Sequence, residues 1–158
     1  MKKRRELLIE QNDEVYFRIE KFVEEITDEY LLHDTYFGNI LIALTEAVQN
    51  AIIHGNKGDA SKTVNVILDP KKEGLWLSVA DQGNGFDYDK EMASGSLFEN
   101  TEKKGLALIR RIADEVRFRN KGRVIEMLFR IYGIDEKIFD RRQELMFDFM
   151  RKTMPHTQ

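Results

Sequence analysis

The stretches KTVNVILD (62–69) and GLWLSVAD (74–81) place apolar residues at every second position: Val64, Val66 and Leu68 in the first, Leu75, Leu77 and Val79 in the second. A strand turns successive side chains to opposite faces, so this period commits one face of a sheet to a core. With PKKE between them, the two read as an antiparallel hairpin. EVRFRN and RVIEMLFRI, split by KG, form a second hairpin. A one-sided sheet has to be covered, and helical patterns flank these hairpins. After Asn12 or Asp13, the residues Val15, Ile19, Phe22, Val23 and Ile26 keep helical spacing to about residue 27. Tyr36, Ile40, Leu41, Leu44, Val48, Ala51 and Ile52 make a longer stripe that Gly55 and Gly58 terminate. GLALIRRIADEV (105–116) returns to helix, and a final helix is expected from about 134 to 152. RRELLIEQ (4–11), short and poorly alternating, is assigned as a first strand. The expected class is α+β: a two-layer α/β sandwich, with helices on one face of a mixed, mostly antiparallel sheet.

Bulk properties narrow the function. The chain has 158 residues, enough for one domain, with 42% hydrophobic and 34% charged residues. A net charge of −3 and a pI near 5.7 argue against a nucleic-acid binder, and the basic KKRRE (2–6) is a solvated terminus. There are no cysteines, which excludes disulfides, thiolate nucleophiles and cysteine-rich zinc sites. His33, His54 and His156 are too scattered for a metal cluster. No apolar run is expected to span a membrane and no signal-peptide h-region is seen at the N-terminus, so the expected location is cytoplasmic. The expected division is a domain at 1–133 and an amphipathic helical extension at 134–158.

Three short segments carry chemistry. In TEAVQNAIIHGNKG (45–58), Glu46, Asn50 and His54 fall at i, i+4 and i+8, in one row along a helix. In DQGNG, Asp81 ends an apolar strand, and Gly83 and Gly85 let backbone approach a ligand closely. In KKGLALI, Gly105 opens a helix whose free N–H groups can hold phosphate, with Lys103 and Lys104 adding charge. Taken singly, these are equally a solvated stripe, a strand-ending turn and a helix start after a basic loop. The run from 81 to 105 has little hydrophobic periodicity and is expected to be a long loop acting as a lid.

Together and in this order, EAVQNAIIHG, DQGNGF and KKGLAL resemble the N, G1 and G2 boxes of the GHKL ATPase superfamily, which includes DNA gyrase, heat-shock chaperones and sensor histidine kinases. Within it, TEAVQNAIIHGN is most similar to the anti-sigma factor serine/threonine kinases of bacterial partner switching. The likeness covers roughly residues 4 to 131. A sensor histidine kinase fits less well, lacking a preceding dimerisation helix with a phosphoacceptor histidine.

The resemblance implies a Bergerat ATP-binding fold using ATP and Mg²⁺. It implies Asn50 as the metal-binding asparagine, Glu46 as the residue that orients or deprotonates the attacking hydroxyl, and Asp81 as the acceptor for the adenine amine. Gly83 and Gly85 would form the adenine pocket, Gly105 would let the lid and helix close over the phosphates, and Lys103 or Lys104 would stand where the family has arginine. His54 would touch the nucleotide or cap the helix, the structural role being favoured. The third box departs from the family's G-x-G, with Ala107 in the last position. The implied partners are a STAS-type anti-anti-sigma protein, a sigma factor or both, with no nucleic acid and no membrane, and a homodimer is compatible. The rival reading is a nucleotide-gated sequestration module without kinase activity; a third has a partner other than a sigma factor. Ile134, Ile138, Leu145 and Phe149, with Phe139, Met146 and Met150 beside them, form an apolar stripe expected to pack on its own domain or to dock on a partner.

Overall fold

The structure, a computed structural model, describes residues 3–12, 14–85, 101–131, 144–149 and 151–152, with backbone alone at 101–103. The chain runs β1 (Arg5–Glu10), α1 (Val15–Tyr30), α2 (Asp34–Asn50), a π-helical turn (Ala51–Gly55), β2 (Thr63–Lys71), β3 (Gly74–Ala80), α3 (Thr101–Ile112), β4 (Glu115–Arg119) and β5 (Val124–Phe129). The expected lid at 86–100 and most of the expected C-terminal helix lie outside the described residues.

The sheet order is β1-β2-β3-β5-β4, and all four pairings are antiparallel. The expectation of a mixed sheet is corrected by β5. Strands β3 and β4 run the same way, joined through α3, and would pair in parallel as neighbours. β5 turns back from β4 and slots between them, opposing both.

Register aligns the alternating residues into rows. Leu7, Val66, Val79, Ile125 and Phe118 lie side by side across the sheet, and the next inward row is Leu68, Leu77, Met127 and Val116. Val66, Val79, Leu68, Leu77 and Met127 are fully buried. Each buried aliphatic side chain contributes about 1.5–3 kcal/mol. The opposite face is more polar: Arg117 lies 4.6 Å from the Trp76 ring centroid, and Asn65 donates to Glu6.

The helices cover the apolar face. From α1 come Val15, Ile19, Phe22, Val23, Ile26 and Tyr30, all buried. The helix stops where Leu31 turns left-handed (φ 52°) and the Leu32 N–H reaches the Thr27 carbonyl. His33 caps α2, its Nδ1 accepting from the Thr35 N–H at 3.2 Å. Ile40, Ala43, Leu44, Ala47 and Val48 of α2 are buried over the sheet. The helical run Asp34–Gly55 is 22 residues and holds an 18-residue window of mean hydropathy 1.2, long and apolar enough by length and composition alone to cross a membrane. That overturns the expectation that no run approaches such a span. Here the segment packs as a core helix.

Two boundaries also shift. α3 is helical from Thr101, four residues before Gly105, to Ile112, and Glu115 and Val116, which the sequence patterns placed in both the helix and the hairpin, belong to β4. Thr, Glu, Lys and Lys contain no helix breaker, so nothing delays the start to Gly105. At the C-terminus, residues 144–149 and 151–152 are helical. Leu145, Phe147 and Phe149 are more than half exposed there, so this portion is not buried against the domain.

Candidate functional site

The carboxyl end of α2 runs toward the end of the sheet where β3 finishes and β5 begins. Glu46 and Asn50 sit one helical turn apart on its last turns, facing α3. Gly105 of α3 is buried against them: a methyl group on its α-carbon would lie 2.6 Å from Glu46 Oε2 and 3.4 Å from Asn50 Nδ2. Only a residue without a side chain permits that approach.

On the other side of Asn50 the chain leaves α-helical winding. The turn Ala51–Gly55 is π-helical, closed by the Asn56 N–H on the Ala51 carbonyl at 2.7 Å. Such wide turns concentrate at functional sites. Under-winding takes His54 off the straight-helix row that starts at Glu46 and Asn50, and His54 does not line the central cavity.

Gly55 then meets Asp81. A methyl group at Gly55 would fall 2.3 Å from the Asp81 carboxyl carbon, and one at Gly83 would fall 1.9 Å from the Gly55 carbonyl oxygen. The Asp81 carboxylate accepts the Gly83 N–H at 2.8 Å. Partial burial raises its carboxyl pKa above the ordinary value. The Gly83 N–H, Arg123 and Lys62 pull in the opposite direction, in that order. Gly85, at φ 75°, packs against the Lys121 carbonyl in the turn between β4 and β5.

Ala47, Asn50, Ala51, Gly55, Asp81 and Leu106 line one small cavity, closed on the sheet side by Val79 and Ile125 and on the turn side by Gly122 and Arg123. Its volume is about 20 Å³, room for a water molecule and not for a purine.

The Asn50 Nδ2 is buried with no hydrogen-bond partner among the described residues. The two amide atoms exchange places by rotation of the terminal torsion, so the oxygen can face the same spot, and an amide oxygen is a hard donor suited to Mg²⁺. Among the described residues no group of three His, Cys, Asp or Glu forms a metal cage. One amide ligand fits a cation held mostly by phosphates and water.

The sequence-predicted residues thus divide. Glu46, Asn50 and Gly105 meet where α2 faces α3, and Asp81, Gly83 and Gly55 meet beside the end of β3; of these six, Asn50, Gly55 and Asp81 line the cavity. Gly85 forms the rim by Lys121. Lys104 is exposed on α3, and the Lys103 side chain lies outside the described residues. Since Thr101–Ile112 is helical, Gly105 lies inside α3, which corrects the expectation that Gly105 opens the helix. Sequence reasoning missed Arg123 and Asn56. Arg123 carries no local signal; Asn56 follows His54-Gly55 directly and reads as an ordinary turn residue.

The family of histidine kinase-like ATPase domains matches residues 10–129. The chain belongs to the histidine kinase-like ATPase family. It is also 36% identical over 87 residues to Serine-protein kinase RsbW of Bacillus licheniformis, a match covering 50% of this chain and 54% of that protein. The chain spans about half the length of that relative. This likeness to RsbW agrees with the three boxes read in the sequence.

Proposed function

We propose that the chain is an ATP-dependent protein serine/threonine kinase of the anti-sigma type. The observation that carries this reading is the meeting of three separate segments around one cavity, lined by Asn50, Asp81 and Leu106, with Glu46 one turn before Asn50 and packed against Gly105. The RsbW-like match supports the same activity.

In this reading Asp81 accepts a hydrogen bond from the exocyclic amine of adenine, which selects adenine over guanine, whose corresponding group is a carbonyl. Asn50 holds Mg²⁺, which when bound neutralises phosphate charge. Glu46 accepts the proton of an incoming serine or threonine hydroxyl; with the acceptor held in line, a modest base suffices. Gly105 keeps α3 close to Glu46 and Asn50, and Lys103 and Lys104 add positive charge for the phosphates. A lysine there acts as a point charge rather than a fork. His54 has a structural role beside the site.

The protein substrate is a STAS-type anti-anti-sigma protein, and a sigma factor is the alternative occupant of a partner-switching cycle. The kinase domain is 1–133, the helical extension 134–158, and the setting cytoplasmic, with a homodimer compatible with the arrangement.

Incubation with ATP, Mg²⁺ and the STAS protein from its host is the test, with phosphoprotein mass spectrometry of the partner. Phosphate on a serine or threonine, and only slow ATP hydrolysis without the partner, is the expected result. Nucleotide-dependent binding without phosphate transfer would instead identify a sequestration module. Ala107→Gly, which restores the family's third box, is then the variant to examine for recovered transfer.

A further inference from the structure

Asn56 is 2% exposed; with Thr27 it makes up the buried polar side chains among the described residues. All of its hydrogen-bonding groups are engaged. Its N–H donates to the Ala51 carbonyl at 2.7 Å and its carbonyl accepts from the Asp59 N–H at 3.1 Å. Its Nδ2 donates to the Thr63 carbonyl at 3.0 Å, and its Oδ1 accepts the Gln82 N–H at 2.7 Å. Gln82 completes a loop, its Oε1 accepting the Thr63 N–H at 2.8 Å. Asn56, Thr63 and Gln82 therefore close a ring of three hydrogen bonds. It joins the end of the π-helical turn, the first residue of β2 and the residue that follows Asp81.

Each link has a different reach. The bonds to Thr63 anchor the start of β2. The bond from the Gln82 N–H fixes the chain between Asp81 and Gly83, the two residues that press against Gly55. A buried side chain offering one donor and one acceptor from the same planar group is what this junction requires, and an amide supplies both.

We propose that Asn56 is a positioning residue for base recognition: through the Gln82 N–H it holds the turn at 81–83 against the end of α2, so that the Asp81 carboxylate is presented to the nucleotide at a fixed distance from Asn50. The inference rests on the reading of Asp81 as the adenine acceptor. It adds that selectivity depends on a residue that never touches the base.

The links can be cut separately. Asn56→Asp keeps the acceptor for Gln82 and sets a carboxylate against the Thr63 carbonyl. Gln82→Leu removes only the bond to the Thr63 N–H. Asn56→Ala removes both side-chain links of Asn56. Calorimetric titration of the full chain with ATP and with GTP in Mg²⁺, alongside thermal melts, reads the outcome. Lower melting with the wild-type ATP-to-GTP preference is expected in Asn56→Asp and Gln82→Leu. In Asn56→Ala the preference falls about tenfold, the weight of one well-placed hydrogen bond. If Asn56→Ala does not fold, Asn56→Ser, too short to reach the Gln82 N–H, gives the same reading. A preference that tracks melting temperature across all variants, or survives intact in Asn56→Ala or Asn56→Ser, overturns the proposal while leaving the nucleotide assignment standing. A wild-type chain that binds ATP and GTP equally overturns both.

Discussion

The α-carbon of Gly105 faces the Glu46 carboxylate so closely that a methyl group there would stand 2.6 Å from Oε2. Glycine inside a helix is less stable than alanine by about 1 kcal/mol. α3 carries that penalty at the position where it crosses the acid of α2.

Gly105→Ala is expected to separate stability from activity. The atom in the way is the far end of a flexible side chain, so Glu46 can swing aside and the helix gains alanine's propensity. The melting temperature should hold or rise, while phosphate transfer drops by about tenfold or more as the base leaves its place. Thermal melts with a transfer assay check this. A full transfer rate would mean the Glu46 position is unimportant.

Glu46→Gln and Asn50→Ala should fail differently. The first keeps shape and loses the base, so ATP binding stays near wild type while transfer falls about a hundredfold. The second removes an amide ligand, so the Mg²⁺-dependent part of ATP affinity falls about tenfold. Calorimetry with and without Mg²⁺ separates them, and unchanged transfer in Glu46→Gln would remove Glu46 from the chemistry.

Asp81 should trade stability for recognition. Burial raises its folded-state pKa above the ordinary 3.8. Between that value and the folded one the native chain holds more proton than the unfolded chain, so stability falls as pH rises through the window. The penalty is complete above the folded value and absent below 3.8. Asp81→Asn keeps an oxygen for the Gly83 N–H, so it should unfold at higher urea than wild type at neutral pH, with the gap closing in acid, and it should bind ATP more weakly. Urea melts across pH, paired with titrations, test both halves. A gap that widens in acid contradicts the burial argument.

Gly83→Ala and Gly55→Ala should differ in severity. At Gly83 the new methyl would meet the Gly55 carbonyl oxygen at 1.9 Å, and only backbone movement relieves that. A loss of about 3 kcal/mol is expected. At Gly55 it would meet Asp81, whose carboxylate can rotate away but whose Cβ, at 2.7 Å, cannot; the backbone shift needed there is smaller than at Gly83, so the stability loss is smaller and nucleotide binding suffers as Asp81 is displaced. Chemical denaturation of both variants ranks them.

The hairpins and α1 were legible because their buried residues recur at a fixed period: Val64, Val66 and Leu68 all reach the core, as do Ile19, Phe22, Val23 and Ile26. β1 was faint because Ile9 is its one fully buried residue, while Leu8 is half exposed. The start of α3 was misplaced because glycine was taken as a boundary, when here it marks a close crossing. The boxes that converge were visible as local patterns. Asn56 was not, since its role is set by Gln82, 26 residues away and close only after the sheet forms, together with Thr63 at the start of β2. Arg123 was hidden for the same reason.

The π-helical turn makes the spacing between Asn50 and Asn56 a matter of count. An α-helix advances about 100° per residue, so removing one residue from Ala51–Gly55 would rewind the segment and swing everything beyond it around the axis of α2. Asn56 would then point away from Gln82, however conservative the remaining side chains. The exposed stretch at 57–60 is held differently, by short-range bonds: the Gly58 N–H donates to the Ile52 carbonyl at 2.9 Å and the Asp59 N–H to the Asn56 carbonyl at 3.1 Å. A deletion at 57–60 breaks bonds local to that turn, whereas one in Ala51–Gly55 re-aims the residue on which the junction with Gln82 depends.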